Sequence, residues 1–323
     1  MHELKCKYIK IGLSRICRLF GITRQAYYQH TWEVESVQTA DLLIVKEVVA
    51  MRKDHKIIGT RKLYDMLQPF MMEHGIKMGR DALFDLLAAN NLLIKRRKRR
   101  IQTTYSNHWL RKYPNLIREF IPKAINQLWV SDITYWKIST GEHLYISLIT
   151  DAYSRKVVGY HVAETMEAIQ SIQALQMALT ALGGAAVSLQ LTHHSDRGIQ
   201  YCSGKYVKLL QDNNIRISMT ENGDPLENAI AERVNGIIKE EYLNHYQTGS
   251  LLEAKKQLQK AISLYNNDRP HMSLGNITPN KLHNNQKLNP QRLWKNYYKK
   301  LNTFENKIEN QPVNLLQDLS FNL

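Results

Sequence analysis

Apolar residues recur along this chain with two periods, roughly 3.6 in the first hundred residues and roughly 2 after residue 126. In the front part, Ser14 to Phe20 reads as a short helix with Ile16 and Leu19 turned inward. Gly21 permits a tight turn, and Thr23 is a good N-cap for a second helix, Arg24 to His30. Asp41 to Lys53 is a further helix candidate. After Gly59, Thr60 caps another, with Leu63, Leu67 and Phe70 on one side; Pro69 kinks it or ends it before Glu73. Gly79 then precedes Arg80 to Asn90, which buries Leu83, Leu86 and Leu87. Residues 11–30 and 40–94 therefore read as two helix-turn-helix units, or as two ordinary helical hairpins.

From residue 127 the alternation is that of strands. Gln127–Lys137, His143–Asp151 and Lys156–Val162 are rich in β-branched and aromatic residues and are joined by short turns, as in an antiparallel meander. A long helix, Glu164 to Leu182, follows and is stopped by Gly183-Gly184. Then come a strand (Ser188–Thr192), a helix (Ser203–Asn213), a strand (Ile215–Met219) and a helix beginning near Ile230. That order, βββαβαβα, is the ribonuclease-H-like α/β arrangement, a mixed five-stranded sheet with helices on both faces. A last helix spans Leu251 to Asn267, and beyond about 285 the chain is rich in Asn, Lys and Gln, with a short helix candidate at Pro290 to Leu301.

Charge separates the two parts again. The formal net charge is +15, of which residues 1–126 carry +13 and the rest +2. A polyanion-binding front on a nearly neutral body is the natural reading. Lys95, Arg96, Arg97, Lys98, Arg99 and Arg100 form a run between the two parts, read as a phosphate-tracking linker. Arg24, Gln25, Tyr28 and Arg80 are further candidates for DNA contact. Three scattered cysteines, Cys6, Cys17 and Cys202, signal neither a disulfide framework nor a zinc ribbon. No apolar run has transmembrane length and no secretory leader is visible, so the expectation is a cytoplasmic, nucleoid-associated bacterial protein with no membrane partner.

The candidate chemistry is acidic. Asp132 lies mid-strand, where an aspartate is disfavoured and needs a partner or a metal. Asp196 follows a strand end, and Arg197-Gly198 makes a turn that aims its carboxylate off the sheet edge. The first and fourth strands of this fold are neighbours, and the helix of Glu232 packs across that edge. Three carboxylates with no matched set of cations suit hard divalent ions, Mg²⁺ or Mn²⁺. Two such ions, roughly 3.5–4 Å apart, activate an attacking water or 3′-hydroxyl and stabilise the leaving oxygen of a phosphodiester. His193 and His194 are adjacent on the chain and would face opposite ways on a strand, which argues against a histidine metal site. On the helix, Glu232, Gly236 and Lys239 fall on one face, either a solvated charged face or one that addresses a ligand lying along it.

The segments WVSDITY around Asp132, HSDRGIQY around Asp196 and ENAIAERVNGIIKEEY around Glu232 closely resemble the DDE transposases and retroviral-type integrases. Thirty-five residues separate Asp196 from Glu232, as in that group. YNNDRPHMSLGNITP (Tyr265–Pro279) resembles the tail motif of the insertion-sequence family whose transposase is split between two overlapping frames, and the chain resembles the second-frame product. The resemblance covers roughly residues 11–285 and is most specific from 127 to 280.

It implies that Asp132, Asp196 and Glu232 are catalytic and bind two Mg²⁺ (or Mn²⁺) ions. It further implies that Lys239 contacts terminal DNA, and that Asn228 orients the site or contacts DNA. Glu227 departs from the aspartate usual in relatives. Gln200 and Tyr201 either touch DNA or pack, and Arg269 and His271 cap or pair near the active edge. The implied function is a DNA transposase that cuts and joins element ends, acting on terminal inverted repeats and target DNA with self-association and a first-frame partner. A non-catalytic, DNA-binding regulator of transposition is the alternative, and a structure-specific nuclease a more distant one. The expected domains are a helix-turn-helix segment (1–38), a second helical DNA-binding domain (39–100), a linker (101–126), the catalytic domain (127–285) and a tail (286–323).

Overall fold

Strands β1 (Leu128–Lys137), β2 (His143–Asp151), β3 (Val157–Ala163), β4 (Thr192–Ser195) and β5 (Arg216–Met219) form one mixed sheet in the order β3-β2-β1-β4-β5. The structure is a computed structural model that describes residues 11–94, 109–118, 120–183, 190–221, 227–285 and 287–291. β1 pairs antiparallel with β2 along its length, from Trp129↔Asp151 to Lys137↔His143. On its other side it pairs in parallel with β4, from Leu128↔Thr192 to Val130↔His194. Beyond Val130 the β1 edge has left β4, and this splayed edge is where the site forms.

The two faces of the sheet hold two cores, as the period-2 pattern requires. Trp136, Leu144, Ile146 and Leu148 face helix α7 (Ala229–Ile237), the wide turn Ile238–Tyr242 that prolongs it, and helix α8 (Leu251–Asn267). Trp129 and Ile149 face helices α5 (Ala168–Leu182) and α6 (Gly204–Asp212). Gly159 on β3 lets α5 approach closely: a Cβ there would lie 2.2 Å from the Ala174 carbonyl oxygen. Helix α5 ends on Gly183 in the left-handed region (φ 61°), where glycine avoids the Cβ clash. The sheet order, its mixed character and the helices on both faces are those of the ribonuclease-H-like fold.

The front part is all-helical: α1 (Leu13–Leu19), α2 (Arg24–Asp54), α3 (Thr60–Glu73) and α4 (Arg80–Ala89). Its core is Ile44, Val48, Ile58, Leu63, Leu67, Met71, Leu83 and Leu87. Helices expected at Arg24–His30 and Asp41–Lys53 are a single helix of 31 residues, so the boundary expected at 38/39 falls inside α2. No Gly or Pro interrupts residues 24–54, and the Thr31 and Thr39 hydroxyls donate to the Tyr27 and Glu35 carbonyls instead of breaking the helix. Pro69 lies inside α3 and does not end it early, since the helix continues to Glu73. Leu19, expected inside, is 79% exposed, and Cys17 takes the buried place beside Ile16.

Two further departures lie in the second part. The fourth strand, expected at Ser188–Thr192, runs Thr192–Ser195; residues 188 and 189 lie outside the described residues. Its polar side chains are buried with partners, which an apolar pattern cannot register. The stretch from Pro114 to Arg118, expected as free connection, is tied to β5 and Glu221: Leu116 N–H donates to Ser218 Oγ at 2.9 Å, and Arg118 pairs with Glu221 at 2.7 Å. The cationic run Lys95–Arg100, the turn formers Asn222, Gly223 and Pro225, and most of the 286–323 tail lie outside the described residues. Among the described residues no helix is long and apolar enough to cross a membrane.

Candidate active site

Asp132 stands on β1 two residues past the last pairing with β4. Its carboxylate is part-buried and held by two donors: the Ile133 N–H reaches Oδ1 at 2.9 Å and the Asn235 amide reaches Oδ2 at 2.9 Å. Asn235 lies on α7 one turn after Glu232, so the same helix supplies a carboxylate and the amide that locks Asp132. Asp196 follows β4 directly, and its Oδ1 accepts the Gly198 N–H at 3.0 Å. A Cβ at Gly198 would lie 2.9 Å from that same oxygen, so a larger residue there would press on the Asp196 carboxylate.

The electrostatics are unbalanced. Burial, then the Asp196 charge, and more weakly Glu232 push the Asp132 carboxyl up to about 7, against the lowering hydrogen bonds of Asn235 and Ile133. Glu232 is raised by burial and then by Asp196. Each of the three carboxylates thus lies within electrostatic reach of another. They do not converge further: among the described residues no three His, Cys, Asp or Glu side chains stand close enough to hold one ion. Carboxylates that raise one another fit a hard divalent cation, which would relieve the mutual repulsion.

Beneath the acids lies a neutral polar layer. His193 Nε2 is 2.7 Å from Ser131 Oγ and 2.9 Å from Tyr206 Oη, and burial drives its pKa down to about 3. His194 Nδ1 is 2.8 Å from Ser218 Oγ. Both rings are buried, and His194 Nε2 has no hydrogen-bond partner among the described residues. Tyr201 packs its ring against His193 and Tyr206, and its hydroxyl is buried with no hydrogen-bond partner. Gln200 is also buried, donating to the Met166 carbonyl at 2.9 Å.

The DNA-contact candidates divide. Lys239 reaches round the free edge of β1, with Nζ 4.0 Å from the centroid of the exposed Tyr135 ring. Arg24, Gln25 and Tyr28 are exposed at the start of α2, and Arg80 is exposed and paired with its neighbour Asp81 at 3.0 Å. Asn228, expected to orient the site or contact DNA, lies inside the protein. It is 5% exposed and its amide donates to the Ser131 carbonyl at 3.0 Å, tying the start of α7 to β1 beside Asp132. Glu227 accepts the Glu221 N–H at 2.6 Å.

Asn235 was missed by pattern reading although its place, three residues after Glu232, was visible. Also missed was the partner of Arg269. Its Nε and Nη2 donate to the two carboxylate oxygens of Glu241 at 2.7 and 2.6 Å, a buried fork that joins residues 28 positions apart.

Comparison with known proteins adds relatives to this geometry. A family described as Integrase core domain matches residues 122–225, and a second of the same description matches residues 213–279. The insertion element IS600 uncharacterized 31 kDa protein of Shigella sonnei is 36% identical over 268 residues, 82% of this chain and 96% of its own length. The transposase for insertion sequence element IS629 of Shigella sonnei is 28% identical over 276 residues, 83% of this chain and 90% of that protein. Among solved structures, the HTLV-2 integrase catalytic core domain in complex with magnesium is 22% identical with a TM-score of 0.39, covering 50% of this chain and 97% of that one.

Proposed function

The chain belongs to the insertion-sequence transposases that carry an integrase core domain, and from that premise we propose that Asp132, Asp196 and Glu232 are its catalytic residues. As a member of that family of polynucleotidyl transferases it acts in DNA transposition. The finer reading is that it cuts and joins element ends at the edge where β1 leaves β4. The observation that carries it is the acidic edge: three carboxylates within electrostatic range of one another, one pushed up to about 7, with Lys239 over Tyr135 in the turn that prolongs the Glu232 helix.

Bound there, divalent ions would polarise the scissile phosphate and activate the attacking water or 3′-hydroxyl. Asp132, Asp196 and Glu232 would hold them, with Mg²⁺ or Mn²⁺ as the hard ions that suit three carboxylates. The rest of the chemistry belongs to the protein. Asn235 and the Ile133 N–H fix the Asp132 carboxylate in one orientation, and the turn at Gly198 fixes Asp196. Asn228 ties α7 to β1 and so sets how far Glu232 stands from Asp132. Lys239 and Tyr135 lie where a DNA end entering along the free edge would meet a cation and an aromatic face.

Arg24, Gln25, Tyr28, Arg80 and the Lys95–Arg100 run would supply phosphate contacts from the front part, which carries nearly all of the net charge. Two ends must be held together for joining, so the protein would act self-associated on DNA, with a first-frame product as a further partner. The test is strand transfer in Mg²⁺ with a labelled terminal-repeat oligonucleotide, wild type against Glu232→Gln. Product from wild type alone is the expected result. Equal product from both would remove Glu232 from the catalytic set.

A further inference from the structure

The motif Tyr265–Pro279 has so far no part in the reaction, yet its side chains reach three separate elements. Asn266 bonds both the N–H and the carbonyl of Val157 on β3, at 3.0 Å each. Asn276 donates to Asp65 on α3. Between them, Arg269, 1% exposed, forks onto Glu241 in the wide turn that prolongs the Glu232 helix. His271 Nε2 lies 3.2 Å from Arg269 Nη1 and, as a neutral imidazole, accepts from it.

Glu241 has a second cation. Lys62 of α3 brings Nζ within 4.0 Å of Oε1, with both side chains largely buried. The next residue, Tyr242, is also addressed by the front part, with its hydroxyl 3.2 Å from His55 Nδ1. A third bolt, Asp54 to Lys260 at 2.7 Å, lies outside this cluster. The helix of residues 229–242 thus has two working sides. One presents Asn235 to Asp132 and Lys239 to Tyr135; the other presents Glu241 to Arg269 and Lys62.

A turn of π type is less well bonded than an α-turn and persists where surroundings hold it. The bidentate guanidinium–carboxylate pair is the strongest directional hold available to a side chain, and lysine cannot reproduce its fork. We propose that Arg269 is a positioning residue for the reaction: by gripping Glu241 it holds the turn that ends the Glu232 helix, and through that shared carboxylate it seats Lys62 and fixes the helical front part against the same helix. The proposal rests on the assignment of Glu232 and its partners as the active site. Its consequence is that a disturbance of the front part reaches Glu232, Asn235 and Lys239 through the Glu241 carboxylate, beside the His55–Tyr242 contact on the same turn.

The test compares full-length wild type, Arg269→Lys, Lys62→Met and Glu232→Gln in three measurements. These are single-turnover strand transfer at saturating terminal-repeat DNA, affinity for that DNA, and binding of Mn²⁺ by its free-ion EPR signal. Arg269→Lys keeps the charge and loses the fork, so strand transfer should fall about tenfold or more, in line with the cost of sub-ångström misplacement. Its Mn²⁺ binding should weaken several-fold, with a smaller loss of DNA affinity, since most of the proposed phosphate contacts lie in the front part.

Lys62→Met, which leaves the Glu241–Arg269 pair standing, should act in the same direction with a smaller effect, and it decides the matter if Arg269→Lys does not fold. Wild-type rates and Mn²⁺ affinity in both variants would overturn the proposal, as would a loss of rate with Mn²⁺ binding untouched. If Mn²⁺ binds wild type and Glu232→Gln alike, the active-site assignment fails and takes the proposal with it. A clear Glu232→Gln defect beside an unaffected Arg269→Lys sinks the proposal alone.

Discussion

One helix and its prolongation serve two acidic settings that behave in opposite ways. Toward the β1 edge, Glu232 faces Asp132 and Asp196, and burial together with mutual repulsion raises Asp132 to about 7. Nine residues later Glu241 is at least as enclosed, and burial alone would raise it too. The Arg269 hydrogen bonds and charge, with Lys62 adding to them, prevail and hold its carboxyl below the usual glutamate range. Arg269 is raised in turn, burial being outweighed by the same pair. A buried carboxylate gripped by cations is a structural joint; carboxylates that raise one another are tolerated where a bound cation and its chemistry give them a use.

The sharpest way to break this comparison is to remove charge from each side and read both activity and stability. At the β1 edge, Asp132→Asn, Asp196→Asn and Glu232→Gln should each lower strand transfer by about a thousandfold or more while leaving end binding near normal. An oligonucleotide strand-transfer assay beside a gel-shift titration checks it, and retained activity in any one variant would remove that residue from the set.

On the matched side the large effect is on folding. Glu241→Ala leaves the Arg269 guanidinium buried without its partner, and should cost about 3–5 kcal/mol of unfolding free energy. Urea midpoints measure it. The same variant carries a pH signature. Because the folded pKa of Glu241 is depressed, its contribution is present above the unfolded value near 4.5 and is lost as pH falls through the lower folded value. The gap between wild type and Glu241→Ala should therefore be level at neutral pH and close below about pH 4.5. A gap that widened in acid would mean that Arg269 is not what holds the carboxylate.

The two settings were unequally legible in the sequence. Asp132 could be found because an aspartate among Trp129, Val130, Ile133 and Tyr135 contradicts its surroundings, and the strand order put Asp196 beside it. Strand β2 and helix α8 have the bounds that alternation and helical spacing predict, His143–Asp151 and Leu251–Asn267. The matched pair left no such contradiction: Glu241 sits in a polar run, IKEEY, and its partner lies 28 residues on, beyond a helix. Pairing across elements is set by packing, which local pattern does not encode. For the same reason β4 was displaced toward its apolar side. Thr192, His193, His194 and Ser195 are fully enclosed, with His193 bonded to Ser131 and Tyr206 and His194 Nδ1 bonded to Ser218.

The smallest effect is also the most discriminating, because its sign is opposite to that of the joint. In EDTA at pH 8, Asp132→Asn should be more stable than wild type, by about 1 kcal/mol. A lift of the carboxyl from 3.8 to about 7 corresponds to a penalty of roughly 4 kcal/mol once the group is ionised. The substitution does not recover all of it. Asparagine keeps one acceptor oxygen where the carboxylate offered two, one to the Ile133 N–H and one to the Asn235 amide, and a donor left unpaired in a part-buried site costs about 1–3 kcal/mol. The remainder is still a gain, since the repulsion from Asp196 goes with the charge. Adding Mg²⁺ should narrow the difference, because a cation that binds the folded wild type stabilises it by mass action. Thermal melts of the two proteins with EDTA and with Mg²⁺ give all four numbers. If Asp132→Asn melts below wild type in EDTA, the acidic edge is not held against its own repulsion, and the contrast with Glu241 fails.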